Sequence, residues 1–345
     1  MPDSSQNISD TNAPSDLRDQ FGRHITYLRL SVTDRCDLRC VYCMAEKMTF
    51  LPKSDVLSLE ELLDLSRAFI ERGVRRVRLT GGEPLVRKNI LWLIEQLGQE
   101  IEAGRLDEIT LTTNGTQLPH MADALFKAGV RRINVSLDTL DATKFSDITR
   151  RSKLDTVLEG IRAAQKAGLK VKLNTVAMRG KNENELPDLL DWAVSEGLDL
   201  TFIETMPLGE VDSKRDDDYL PLTALLPKLL ERHKLTPSVH RTGGPARYFD
   251  IGSSGRKLGL ITPLTNNFCD GCNRVRVTCT GRIYMCLGQD DHIDLRAALR
   301  STSPKPALSA ALDKAMGLKP KGHDFAVSDG KMIGEVSRHM SQTGG

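Results

Sequence analysis

No apolar run in this 345-residue sequence approaches the length of a membrane span, and its polar start, Met1 to Gln20, lacks the basic-then-apolar layout of a signal peptide. We read residues 1–20 as a disordered lead-in. An excess of one charge is also lacking: 48 Lys and Arg against 46 Asp and Glu leave a formal net charge of +2. That balance gives no global electrostatic case for nucleic acid or a membrane as partner. The seven cysteines are an odd count without secretory context, so no disulfide framework is expected and a reducing compartment, by default the cytoplasm, is. No Ser-His-Asp order, Walker loop or dinucleotide fingerprint stands out, which leaves hydrolase and Rossmann readings without support. The histidines at 24, 120, 233, 240, 292, 323 and 339 never pair at helical ligand spacing, and none is assigned a catalytic role. The rest, 39% hydrophobic and 27% charged, describes a soluble globular protein long enough for one large domain plus a smaller one.

What is present begins with a rhythm. Helix-period segments end in Arg72-Gly73-Val74, Ala128-Gly129-Val130, Ala167-Gly168-Leu169 and Glu196-Gly197-Leu198, each placing Gly where a helix stops in a left-handed turn and a β-branched run begins. This is the punctuation of βα units. Strands are expected at about Tyr27 to Val32, Val74 to Leu79, Glu108 to Thr113, Arg132 to Leu137, Lys170 to Val176 and Leu200 to Met206, with one intervening helix opened by a Ser58/Glu61 capping box. Six strands separated by helices predict a mostly parallel sheet, closed or partly closed as a barrel. Trp92 and Trp192 fall in apolar helical patterns and read as core.

Those strands alternate as fully packed parallel strands do not. Arg29 and Ser31, Arg76 and Arg78, Thr110 and Thr112, Asn134, Ser136 and Asp138, and Lys170, Lys172 and Asn174 fall on one face, with Ile, Leu or Val on the other. Both faces of a parallel sheet are covered, so such a face is costly unless it meets water or a polar ligand. The pattern predicts a polar lumen suited to an anionic substrate, with some of the charges paired structurally. Small polar turns follow the first four strands, including Gly81-Gly82-Glu83-Pro84 and Thr112-Thr113-Asn114-Gly115, at the end where a barrel keeps its chemistry.

The loop after the first strand holds Cys36, Cys40 and Cys43. Three clustered thiolates fit a [4Fe-4S] cluster with one iron left open, or a zinc site with an open position. After Pro207 the repeat gives way to an acidic, turn-rich stretch to about Asp218. A helix near Leu222 to His233 follows, then short strands around Ser238, Lys257 to Ile261, Arg274 to Thr280 and Arg282 to Cys286. A second triad, Cys269, Cys272 and Cys286, lies here; read alone it suits zinc, with Cys279 or His292 as fourth ligand. Cys279 shares a strand face with Val275 and Val277 and reads as a small buried hydrophobe. Arg274 and Arg276 share the opposite face, where two guanidiniums suit a phosphate chain or form a solvated basic face. Met340 to Gly345 reads as a frayed tail whose two glycines could enter a crowded site.

The Cys36-x3-Cys40-x2-Cys43 loop with Tyr42, followed by Gly81-Gly82-Glu83-Pro84, resembles the radical S-adenosylmethionine superfamily. With Cys269, Cys272, Cys286, the run Cys272-Asn273-Arg274-Val275-Arg276 and the Gly344-Gly345 end, the chain from about Phe21 resembles its GTP 3′,8-cyclase family; Thr343, where an aliphatic residue is common, and the extra Cys279 are its departures. The resemblance implies an α/β fold: a partial (βα)6 TIM-like barrel over residues 21–218, a smaller C-terminal domain over 219–330 carrying a second Fe-S cluster, and a tail over 331–345. It implies two [4Fe-4S] clusters, held by Cys36, Cys40 and Cys43 and by Cys269, Cys272 and Cys286, with S-adenosylmethionine at the open iron of the first and the guanine of GTP at that of the second.

The implied chemistry is reductive cleavage of S-adenosylmethionine to methionine and a 5′-deoxyadenosyl radical. That radical takes the 3′ hydrogen of GTP, and the ribose radical attacks C8 of guanine, the first step toward molybdopterin. Carried over by position, S-adenosylmethionine falls to Tyr42, Gly82, Ser136 and Met206, and GTP to Arg29, Arg78, Thr112, Lys172, Arg274 and Arg276. Arg274, Arg276, Gly344 and Gly345 are expected to assist conversion. The implied partners are an electron donor of flavodoxin or ferredoxin type and, for product transfer, cyclic pyranopterin monophosphate synthase, with the protein a monomer or homodimer. A radical enzyme acting on peptides would share only the first triad, and a zinc-binding regulator would have no need of a polar lumen.

Overall fold

The computed structural model describes residues 16–209, 211, 215–265, 268–328, 331–334 and 336–343. The expected βα units are all present. Strands β1 (Tyr27–Ser31), β2 (Arg76–Thr80), β3 (Glu108–Thr113), β4 (Arg132–Ser136), β5 (Lys170–Ala177) and β6 (Asp199–Glu204) pair in parallel in chain order. Between them run α1 (Leu59–Glu71), α2 (Ile90–Glu102), α3 (Leu118–Lys127), α4 (Ala142–Thr149), α5 (Leu154–Lys166) and α6 (Leu186–Ser195). The Ser58/Glu61 capping box opens α1, Glu61 N–H donating to Ser58 Oγ at 3.1 Å and Ser58 N–H to Glu61 Oε2 at 2.8 Å. Gly73, with φ +89°, ends α1 in the left-handed turn that the sequence requires.

The alternation of the strands sorts their side chains. Leu28, Leu30, Val77, Leu79, Ile109, Leu111, Ile133, Val135 and Leu173 are buried in one continuous core with Phe69, Leu93, Leu125 and Ile161 of the helices. Trp92 and Trp192 pack against that core only half-buried. On the opposite face Arg29 stands beside Arg78 and beside Arg276, and Thr112, Asn134 and Lys172 stand in a row. A polar layer therefore crosses the sheet.

The segment after Asp218 adds to this sheet at both edges. Its elements are α8 (Leu222–Arg232), after a four-residue α7 (Arg215–Asp218), then β7 (Leu235–Pro237), β8 (Arg247–Ile251), β9 (Lys257–Ile261), β10 (Arg274–Val277), β11 (Arg282–Tyr284), β12 (His292–Asp294), α9 (Leu295–Leu299) and α10 (Pro304–Leu318). β9 pairs in parallel with β6 and β10 in parallel with β1, giving a twelve-stranded sheet ordered β12-β11-β10-β1-β2-β3-β4-β5-β6-β9-β8-β7. A hairpin, β13 (Ala326–Ser328) and β14 (Lys331–Ile333), precedes α11 (Met340–Thr343). β10 ends earlier than its sequence pattern suggests. Thr278 N–H bonds to the Arg282 carbonyl and Gly281, at φ +84°, closes a tight turn into β11, so Cys279 sits in that turn rather than on the strand.

Candidate active site

The first cysteine loop leaves β1 and is fixed by its neighbours. Arg39 and Val41 N–H donate to the carbonyls of Thr149 and Ile148 at the end of α4, both at 2.9 Å. The Gly81-Gly82 turn lies against the loop from the other side: Gly82 N–H bonds to Thr33 O at 3.0 Å and Glu83 N–H to Arg35 O at 2.8 Å. A Cβ on Gly82 would stand 2.4 Å from Arg35 O, so this glycine serves the approach of one backbone to another, as well as lining the cavity beneath. Buried Glu83 accepts from Leu85 N–H, Asn114 N–H and Thr113 Oγ1, which ties the turns after β2 and β3 together; burial pushes its carboxyl up to about 7.

Cys36, Cys40 and Cys43 line one cavity of about 170 Å³ with Tyr42, Gly82, Thr112, Ser136 and Met206. Leu38 N–H and Asn114 Nδ2 point at Cys36 Sγ, at 3.4 and 3.7 Å. Burial first, then Glu83, pushes the Cys36 thiol up to about 12, and burial followed by Cys43 raises Cys40. Neutral crowding of this kind is relieved when thiolates bind metal. Tyr42 Oη donates to Asp138 Oδ2 at 2.8 Å, and Asp138 Oδ1 accepts Val176 N–H, so the loop is also anchored to β5.

Cys269, Cys272 and Cys286 line a second cavity of about 140 Å³ together with Arg29, Arg78, Lys172, Arg274 and Arg276. Asn174, Ile203, Met206 and Met340 border both cavities, which places the two triads at opposite ends of one internal space. Among the described residues no carboxylate lines the second cavity. The physical result is visible in the cations: burial and then Arg276 hold Arg29 well below its ordinary range, burial and then Arg274 bring Arg276 down to about 9, and burial and then Arg78 bring Lys172 down to about 7. Two of the cations meet phenols, Arg78 Nε donating to Tyr27 Oη at 2.6 Å and Lys172 Nζ to Tyr248 Oη at 3.2 Å, while Arg29 Nε is buried without a hydrogen bond. Burial works to raise Cys272, but Arg274 and Lys319 outweigh it and bring the thiol down to about 7.

Residues 30–193 match the Radical SAM superfamily and residues 198–325 match Molybdenum Cofactor Synthesis C. The GTP 3′,8-cyclase of Rhizobium meliloti is 60% identical over 338 residues, covering 98% of this chain and 96% of the relative. That of Erythrobacter litoralis is 59% identical over 333 residues, covering 96% of this chain and 100% of the relative. The chain belongs to the GTP 3′,8-cyclase family. SuiB of Streptococcus suis shares the fold at a TM-score of 0.60 and 16% identity, over 85% of this chain and 68% of SuiB. Its complex with S-adenosylmethionine aligns at a TM-score of 0.58 and 15% identity, over 82% of this chain and 68% of SuiB.

The GTP 3′,8-cyclase family carries two [4Fe-4S] clusters and uses S-adenosylmethionine, and the donor sets here fit those groups. Among the described residues no three His, Cys, Asp or Glu side chains converge on a single ion, whereas a cubane takes each thiolate on a different iron and spaces them more widely. The single-ion zinc reading loses its proposed fourth ligands as well: Cys279 lines a different cavity, and His292 is exposed on β12. Thr112 differs from the other residues the family pattern assigns to GTP, since it lines the first cavity and reaches the second only through Arg78 Nη1 at 3.4 Å. Gly344 and Gly345 lie outside the described residues. Asn114 and Asp138, expected at this end of the barrel, join the site through Cys36 and Tyr42, and Tyr27, Tyr248 and Lys319 complete it without having been singled out by the sequence. Tyr27 shares the alternation of Arg29 and was legible; Lys319, in a Lys-Pro-Lys run, carries no such signal.

Proposed function

We propose that this protein converts GTP to (8S)-3′,8-cyclo-7,8-dihydroguanosine 5′-triphosphate, the first step of molybdopterin biosynthesis. The observation that carries the reading is the second cavity: Arg29, Arg78, Lys172, Arg274 and Arg276 line it beside a cysteine triad, no carboxylate lines it among the described residues, and it borders the cavity of the first triad. Such a site suits a polyanion, and a triphosphate supplies one that guanidiniums grip bidentately. Cys36, Cys40 and Cys43 hold one cluster, and Cys269, Cys272 and Cys286 the other. When bound, the first cluster and S-adenosylmethionine supply one electron and a carbon radical that takes the 3′ hydrogen of GTP.

The chain's own work is placement. Tyr42, Gly82, Ser136 and Met206 hold S-adenosylmethionine, and Met206, which borders both cavities, stands between it and the nucleotide. Arg29, Arg78, Lys172, Arg274 and Arg276 neutralise the phosphates, and Thr112, bonded to Arg78, keeps that guanidinium turned toward the boundary. Arg276 Nη1 donates to Thr343 O at 3.4 Å, so the described chain reaches the substrate arginines at Thr343; Gly344 and Gly345 assist conversion. Extending the chain past Gly345 abolishes turnover and leaves both clusters intact; normal activity of a C-terminally extended protein contradicts that role. The electron donor is of flavodoxin or ferredoxin type, and the product passes to cyclic pyranopterin monophosphate synthase. The protein acts in the cytoplasm as a monomer or homodimer; among the described residues no helix is long and apolar enough to cross a membrane.

Anaerobic incubation of the reconstituted protein with dithionite, S-adenosylmethionine and GTP tests the proposal. It predicts 5′-deoxyadenosine and a cyclised nucleotide. Zinc without iron or sulfide, or an iron-loaded protein that yields neither product, contradicts it.

A further inference from the structure

Lys319 is one of the largest fully buried side chains in the molecule, at 2% exposure, although lysine is almost never fully buried unless paired. Its ammonium donates to Met285 O at 2.7 Å and Arg274 O at 3.0 Å, and points at Cys272 Sγ at 3.7 Å. Two of those partners are neutral carbonyls, so the sulfur is the one that can carry an opposing charge. Among the described residues no carboxylate pairs with Lys319; Asp19, on the same side, is bound to Arg23 at 2.5 Å. Lys319 does not line the nucleotide cavity, so a substrate phosphate is not its missing anion.

The backbone delivers this side chain deliberately. α10 ends at Leu318, and Lys319 turns extended as its C-cap, followed by Pro320, which cannot continue the helix. Gln20 Nε2 donates to Lys319 O, and Arg23 donates to Pro320 O, Lys321 O and Cys269 O. One arginine therefore ties the turn carrying Lys319 to the loop carrying the cysteines. A cluster thiolate is the charge for which the ammonium is positioned, and hydrogen bonds to cluster sulfurs set reduction potentials.

We propose that Lys319 is the built-in counter-ion of the second [4Fe-4S] cluster, a positioning residue that donates to the Cys272 thiolate and raises that cluster's reduction potential. The inference rests on the reading that Cys269, Cys272 and Cys286 hold a cluster. A cation at this place stabilises the more negative, reduced cluster over the oxidised one. Lys319→Met keeps the volume and removes the charge, and Lys319→Arg keeps the charge.

The test is an anaerobic redox titration of full-length, reconstituted wild type, Lys319→Met and Lys319→Arg, followed by EPR, with iron and sulfide content measured on each. A C36A/C40A/C43A chain run alongside identifies the signal of the second cluster. The expected result is a tenfold loss in the relative stability of the reduced second cluster in Lys319→Met, a fall of about 59 mV for one electron. The first cluster stays unmoved, and Lys319→Arg titrates as wild type. Loss of the second cluster alone in Lys319→Met, with retention in Lys319→Arg, also bears the proposal out. An unchanged potential in Lys319→Met, or the same shift or loss in both variants, overturns it. Absence of iron from the C36A/C40A/C43A chain overturns the cluster reading itself, a distinct failure.

Discussion

Lys172 carries a proton problem that the substrate solves. Burial, then Arg78 and Arg132, hold its pKa at about 7, against the ordinary 10.5 of the unfolded chain, with Asp199 opposing and Arg29 adding to the shift. Between those values the unfolded chain binds a proton that the empty folded site does not. The cost of the buried charge is therefore full below pH 7 and fades as pH rises toward 10.5. A bound triphosphate favours the charged form, so GTP binding takes up a proton near pH 8, where the phosphate's own last ionisation is complete. Anaerobic calorimetry in two buffers of different ionisation enthalpy reads that uptake directly. It should fall in Lys172→Arg, because a guanidinium holds its proton more firmly than an ammonium in the same surroundings, and equal uptake in both proteins contradicts the account.

Arg274 makes a second test at this scale. Losing one charge-assisted contact costs roughly 1.5–3 kcal/mol, so Arg274→Ala should weaken GTP binding about 10- to 100-fold while iron content holds. Unchanged affinity would place the phosphates elsewhere. At this scale the sequence was informative where alternation applied: Arg29, Arg78, Lys172, Arg274 and Arg276 share a face by spacing and line one cavity. It was silent on Lys319 and Tyr248, whose roles depend on segments distant in the chain meeting at the site.

At the scale of elements, the six βα units were legible because each is local: a helix period, a glycine stop and a β-branched run. α10 offers no such pattern, since Pro304, Pro306 and Gly317 read as turn residues; yet proline is tolerated in a first helical turn, where the amide lacks a partner. The strands β8 and β12 and the β13–β14 hairpin, three to five residues each, lie outside the repeat of helix period, glycine stop and β-branched run that marked the six units.

Packing between elements can override propensity. In α5, Gly160→Ala gains about 1 kcal/mol of helix propensity, but the new Cβ would stand 2.4 Å from Gly115 O and 3.0 Å from Leu118 Cβ. A backbone carbonyl cannot swing aside, and overpacking costs roughly 1–3 kcal/mol, so the net loss of up to roughly 2 kcal/mol should lower Tm by up to about 3 °C without changing iron content. A rise in Tm would show that α3 and α5 are free to separate.

At the scale of the molecule, the two halves recognised as separate patterns share one sheet. The parallel pairing of β1 with β10, nearly at opposite ends of the chain, and of β6 with β9 leaves no trace in local spacing. That is why the sequence could suggest a partly closed barrel but not what covers its edges. A fragment of residues 21–218 would expose the edges of both β1 and β6, a template for wrong pairing. It should be insoluble or aggregated in size-exclusion chromatography, and a soluble, folded monomer would contradict the shared sheet.

The shared sheet also gives the cysteine triads one internal space, with the cations proposed to bind phosphate at one end and the residues proposed to hold S-adenosylmethionine at the other. These two ends are proposed to act on one GTP molecule. The most direct test is anaerobic turnover of GTP deuterated at the ribose 3′ position, followed by mass spectrometry of the 5′-deoxyadenosine. The account predicts one deuterium in 5′-deoxyadenosine, formed in step with the cyclised nucleotide. 5′-Deoxyadenosine without deuterium, released from a protein with both clusters loaded, would contradict it.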